Sequence, residues 1–117
     1  MNPKNDLTQL IERLEAFEER CEIRLEALFA SIDPEETLAG HNFMITVNGE
    51  LHPREGTALE KNITLRFDAY DNSGRLVANS MTVFRCDGFF GFETFSENIY
   101  SPTSQISKIR IHPNFSR

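Results

Sequence analysis

The stretch Ile63-Thr64-Leu65-Arg66-Phe67-Asp68-Ala69-Tyr70-Asp71-Asn72-Ser73-Gly74-Arg75-Leu76 decides the fold of most of this chain. Ile63, Leu65, Phe67 and Ala69 fall on one side of an extended backbone, and Thr64, Arg66, Asp68 and Tyr70 fall on the other. That period of two is the signature of a half-buried strand. Asp71-Asn72-Ser73-Gly74 is a turn cluster between two apolar runs, and an aspartate there can hydrogen-bond its own backbone. The pattern predicts a β-hairpin, with a returning strand from Arg75 to about Arg85 that holds Leu76, Val77, Met81, Val83 and Phe84. Asn79-Ser80 interrupts the alternation, which predicts a bulge or a break at that point.

Working outward, Phe43, Ile45 and Val47 alternate with Met44 and Thr46, and the loop His52-Pro53-Arg54-Glu55-Gly56 separates that strand from the hairpin. Toward the C-terminus, Gln105 to His112 places Ile109 and Ile111 on one face and Ile106, Lys108 and Arg110 on the other. Pro113 is expected to end its pairing. Five strands are expected, or seven if Asn79-Ser80 and Gly91 split theirs. Short strands with turn signals at this spacing predict an antiparallel immunoglobulin-like β-sandwich over residues 41–117.

Residues 45–51, Ile45-Thr46-Val47-Asn48-Gly49-Glu50-Leu51, followed by the hairpin with Tyr70-Asp71 and Gly74, resemble the FxLYD-type immunoglobulin-like modules of bacterial proteins. Phe67 supplies the aromatic of that pattern, and Asp87-Gly88 with Phe90 or Phe92 stands where its later strand would start. The resemblance covers about residues 43–112. It implies an all-β sandwich and carries over no catalytic residue.

Residues 1–40 have a different character. They hold 10 acids and 4 bases, whereas residues 41–117 hold 8 of each, so the net charge of −6 sits wholly in the first third. Leu7, Leu10, Ile11, Leu14, Phe17, Cys21, Leu25, Leu28 and Ile32 are spaced mostly by threes and fours, as one stripe of an amphipathic α-helix requires. A helix from residue 5 to residue 31 would be ~40 Å long at 1.5 Å per residue. Asp33-Pro34-Glu35-Glu36 then reads as a fresh N-cap and a helical turn to Ala39, stopped by Gly40. Glu15/Glu19, Glu18/Glu22, Glu22/Glu26 and Arg20/Arg24 are like-charge pairs four apart, and Arg13, Arg20 and Arg24 have no acid three or four residues away. Burial of the stripe, not charge pairing, would have to hold such a helix. The fold class expected is therefore α+β, with a helical segment over residues 1–40 and a β-sandwich domain over 41–117.

A long acidic helix needs something to cover it. Its stripe can pack on its own sheet domain, on a second copy to give a homodimer, or on another protein. The candidate assembly surface is Leu7, Leu10, Leu14, Phe17, Cys21, Leu25, Leu28 and the aromatic Phe89. If Phe90 and Phe92 fill the core, Phe89 looks outward beside Gly91, where it could meet the helix or a neighbouring subunit.

Chemistry is sparse. His41, His52, His112, Cys21 and Cys86 show no metal-ligand spacing, so neither a metal nor another cofactor is expected. Cys86 lies between Arg85 and Asp87 and Cys21 on the stripe, both read as structural thiols. Asp68, Tyr70, Asn72 and Gly74 are too few for a calcium loop, and no glycine-rich phosphate loop occurs. A pI near 5 without a basic stripe argues against nucleic acid. No apolar run or signal peptide points to a membrane, and two thiols read as reduced suit the cytoplasm. The expectation is a non-catalytic protein-interaction or assembly module. The alternative is a β-sandwich that binds a small ligand or carbohydrate on an aromatic surface near Phe89–Phe95.

Overall fold

The computed structural model describes residues 5–37 and 40–116, with the side chains of residues 35–41 outside the description. Among the described residues, seven strands form two sheets. They are β1 (Ile11–Arg13), β2 (Ile23–Thr37), β3 (Gly40–Pro53), β4 (Ile63–Asp71), β5 (Leu76–Phe84), β6 (Glu93–Ser101) and β7 (Ile106–Phe115). One sheet runs β1-β7-β4-β5 and the other β2-β3-β6. The chain crosses between sheets at 14–22, 54–62, 85–92 and 102–105, and β3 pairs with β6 and β4 with β7, both antiparallel.

The hairpin forms as its sequence predicts. Asp71 Oδ1 accepts from the backbone N–H of Ser73 at 2.8 Å and of Arg75 at 3.0 Å, and Gly74 takes a φ of +80°. Ile63, Leu65, Phe67 and Ala69 are buried between the sheets, together with Ile45, Val47, Leu51, Ile99, Ile109 and Ile111. Two details differ. The register shift lies at Ala69/Tyr70, and β5 runs unbroken through Asn79-Ser80. Pro113 sits inside β7, buried opposite Leu65. β1 covers β7 only at Ile109–Ile111, so beyond that point a proline in β7 removes no donor from a ladder on that side.

The long N-terminal helix does not exist, and the α+β class gives way to a mostly β fold. In its place come a 3₁₀ turn at Thr8–Leu10, β1, a six-residue helix α1 (Glu15–Arg20) and the fifteen-residue strand β2. Glu22 follows α1 with φ 58°, a left-handed residue that ends the helix. The apolar spacing that imitated a helix has a local cause. From Cys21 to Glu26 the residues alternate, with Cys21, Ile23 and Leu25 buried and Glu22, Arg24 and Glu26 exposed. Then Ala27 and Leu28 together oppose Gly49, a β-bulge with Ala27 at φ 55°. The extra residue shifts the phase, so Leu25, Leu28 and Ile32 fall three and four apart although they lie on a strand.

Gly49 is what lets the bulge close. A Cβ there would lie 2.6 Å from Leu28 Cδ2 and 2.7 Å from Phe95 Cζ. Phe95 uses that space to reach Phe67 and Phe84, with ring centroids 5.8 and 6.0 Å apart. The expected helical turn after Asp33 is also absent, because Asp33 to Thr37 continue β2; Leu38 and Ala39 lie outside the described residues. The boundary expected near residue 40 thus falls within the β2–β3 hairpin, and the first third contributes strands to both sheets.

Its charges pair both with the rest of the chain and with one another. Glu12 accepts from Arg110 Nε at 2.6 Å and lies 3.6 Å from Lys108 Nζ, while Glu19 faces Arg54 at 3.5 Å. Glu18 is buried and takes Arg13 in a two-pronged pair at 3.0 and 2.6 Å, and it also accepts from Leu25 N at 3.0 Å. This clamp ties β1, α1 and β2 together.

Candidate functional site

The residues assigned to an assembly stripe are not brought together on one exposed face. Leu7, Cys21 and Leu25 are buried in the chain's own core, and Leu10 and Leu28 pack against it. Leu14 and Phe17 are half-buried, and the Phe17 ring meets His112 edge-on at 4.7 Å. Burial pushes the Cys21 thiol above its ordinary pKa, the opposite of what a reactive thiolate needs.

The aromatic segment is inverted relative to expectation. Phe89 is buried, whereas Phe90 is 80% exposed and Phe92 50% exposed. The reason is the loop backbone. Gly88 and Gly91 both adopt positive φ, 80° and 84°, so Phe89-Phe90-Gly91-Phe92 does not alternate as a strand would, and β6 begins only at Glu93. The two glycines were the signal available in the sequence, and they mark a loop.

Three attachments hold this loop. Cys86 N donates to Asn62 Oδ1 at 2.8 Å, Phe89 N to Cys86 O at 3.3 Å, and Gly91 N to Thr57 O at 2.7 Å. Phe89 anchors it from within the core. Phe92 lies flat on His52, with centroids 4.9 Å apart and planes 9° apart. His52 in turn meets Glu50 Oε1 at 2.9 Å and Glu26 Oε2 at 3.8 Å, and Arg24 Nε donates to that same Glu26 oxygen at 2.5 Å. The Arg24 hydrogen bond, helped by the charges of His52, Arg24 and Arg13, holds the Glu26 carboxyl below its usual range.

The neighbouring segment 54–62 is pinned on its other flank by Arg54 N, which donates to Glu22 O at 2.9 Å. A recess of about 380 Å³ lies there between Cys21-Glu22 and residues 54–61, lined by Arg54, Glu55, Leu59 and Lys61 among others. One end of the molecule therefore carries a fixed aromatic loop beside a polar recess. It offers apolar contact area at low ordering cost, because the loop is already held.

Among the described residues, no cluster of three or more His, Cys, Asp or Glu side chains could hold a metal ion. Every fully buried side-chain nitrogen or oxygen among them has a hydrogen-bond partner. No helix among them is long and apolar enough to cross a membrane. No family model matches the sequence, and no curated protein or solved structure is significantly similar to it.

Proposed function

We propose that this chain is a non-catalytic binding module, an immunoglobulin-like sandwich that docks a protein partner on the end carrying Phe90, Phe92 and His52. The observation that carries the proposal is Phe90, a large apolar ring left 80% exposed on a loop fixed by backbone hydrogen bonds and a buried neighbour. Leaving such a ring in water forgoes about 1.5–3 kcal/mol of burial, which docking would recover. A protein partner is favoured over a sugar because phenylalanine brings no hydrogen-bonding group, and one face of Phe92 is already taken by His52. The unpaired thiols Cys21 and Cys86 favour a reducing compartment such as the cytoplasm.

The test is selection of peptides displayed on phage against the full chain, with a glycan array read in parallel. Enriched peptides should carry apolar anchors and lose binding to Phe90→Ser and Phe92→Ser variants whose melting temperatures match the parent. Peptides indifferent to both substitutions, or glycan binding without peptide enrichment, would overturn the proposal.

A further inference from the structure

The sheets end in four edge strands, and three of them are guarded against further pairing. β1 has three residues and two charges, β2 carries acids, Pro34 and a bulge, and β6 holds Glu93 and Glu97. Charges, prolines, bulges and brevity are the usual means by which proteins blunt an edge. β5 has none of the first two. Leu76-Val77-Ala78-Asn79-Ser80-Met81-Thr82-Val83-Phe84 is nine residues without a charge or a proline, and Leu76, Met81 and Val83 are exposed. Its single irregularity, opposite Ala69/Tyr70, sits at one end and leaves Ser80–Phe84 in regular register.

The surroundings say what would pair with it. Arg75 and Arg85 flank the strand, both exposed; Arg75 lies 3.5 Å from Asp71, and Arg85 has no ion pair among the described residues. A shallow groove of about 630 Å³ runs over the outer face of β5, β4 and β7, past Met81, Val83, Arg66, Arg85 and His112. No acidic residue lines it, in a chain with 18 acids and 12 bases. Arg66 is paired there with Asp68 at 3.1 Å. On the inner side, Glu97 of β6 is held by the Ser80 hydroxyl. A second copy fits poorly. Antiparallel pairing centred on Ser80 sets Arg75 directly opposite Arg85 of the other copy, a like-charge pair that costs stability.

We infer that the free edge of β5 accepts an extended segment of a partner protein, apolar at alternate positions and acidic at both ends. Backbone hydrogen bonds supply the affinity, and the alternating side chains lie beside Met81 and Val83. The terminal carboxylates meet Arg75 and Arg85. This edge is a different surface from the aromatic loop, and neither depends on the other.

The probes are two synthetic peptides of alternating valine and threonine, one ended by paired glutamates and one by paired lysines. The readouts on the full chain are titration calorimetry and amide exchange by NMR. The glutamate-ended peptide should slow exchange at β5 amides and bind about tenfold more tightly than the lysine-ended one, the effect of roughly 1.4 kcal/mol of charge complementarity. Arg85→Glu should fold with the parent melting temperature and weaken or reverse that preference. No binding, equal binding of both peptides, or protection confined to β2 or β6 would overturn the inference. So would concentration-dependent dimerisation that protects β5 without peptide, since the edge would then belong to a second copy.

Discussion

The β4–β5 hairpin and β2 (Ile23–Thr37) are both strand, yet one declares itself in the sequence and the other imitates a helix. In the hairpin, alternation runs uninterrupted through β4 and the turn residues bond to their own backbone, so every signal is local. In β2 a bulge shifts the phase and a left-handed glutamate opens the strand, so local spacing misleads. What holds that second region is remote: the partner strand β3, the Glu18–Arg13 clamp that grips the Leu25 backbone, and Arg24, whose Nη1 donates to Pro53 O at 2.9 Å. Local periodicity identifies an element reliably only where no extra residue interrupts it.

Substitutions can strain this contrast from either side. On the hairpin side, Phe67 is fully buried on β4, and Phe67→Ala should cost about 3–5 kcal/mol in denaturant unfolding. A loss below ~1 kcal/mol would mean that the hairpin does not anchor the core. On the other side, Glu18→Ala leaves Leu25 N without its acceptor and Arg13 with only the Leu25 carbonyl, 2.8 Å from its Nη2. Because Arg13 is 37% exposed and can turn to water, the expected loss is about 2 kcal/mol, less than for a wholly buried pair. A Glu18→Ala variant as stable as the parent would remove the clamp from the account.

The next test turns on sign. Ala27 and Glu22 have φ of 55° and 58°, where glycine is strain-free. Ala27→Gly should raise unfolding stability by about 0.5–1 kcal/mol, and Glu22→Gly by somewhat less. In a continuous helix both would instead destabilise by roughly that amount, so a loss in each would restore the helix and refute the strand.

The smallest effects, taken singly, belong to carboxylates that are exposed or half-buried at the surface. Asp6, Glu12 and Glu26 in the first third, and Asp71 in the hairpin turn, are all held below their ordinary values of 3.8 or 4.5. The leading causes are hydrogen bonds from Thr8, Arg110, Arg24 and the Arg75 backbone, respectively. A lowered folded pKa means that the contribution is complete above the unfolded value and is lost as pH falls through the folded one. Stability should therefore decline below about pH 4.5, and amide exchange at β1 should rise before exchange at β4. Simultaneous loosening of both would show that the first third is no more acid-sensitive than the hairpin.

The sheet architecture of residues 41–117 was legible because the apolar faces of β3, β4 and β7 alternate and Asp71–Gly74 marks the reversal. In the first third, the alternation Cys21-Glu22-Ile23-Arg24-Leu25-Glu26 was present but competed with a longer run of threes and fours. The lack of any acid three or four residues from Arg13, Arg20 and Arg24 also pointed away from a helix. Arg24 finds Glu26 two residues on, the spacing of one strand face, and Arg13 finds Glu18 across a turn. At the aromatic loop the residue types were legible and their orientation was not, because Gly88 and Gly91 exchange which phenylalanine faces inward.

β1 has a consequence for how the molecule is made. Its three residues pair in parallel with Ile109–Ile111, and Glu12 meets Arg110 across 98 positions of chain. During synthesis Ile11–Arg13 must wait until β7 has left the ribosome, and closing so large a loop is slow. Until then the segment that will seal β7 hangs loose beside a half-built sheet.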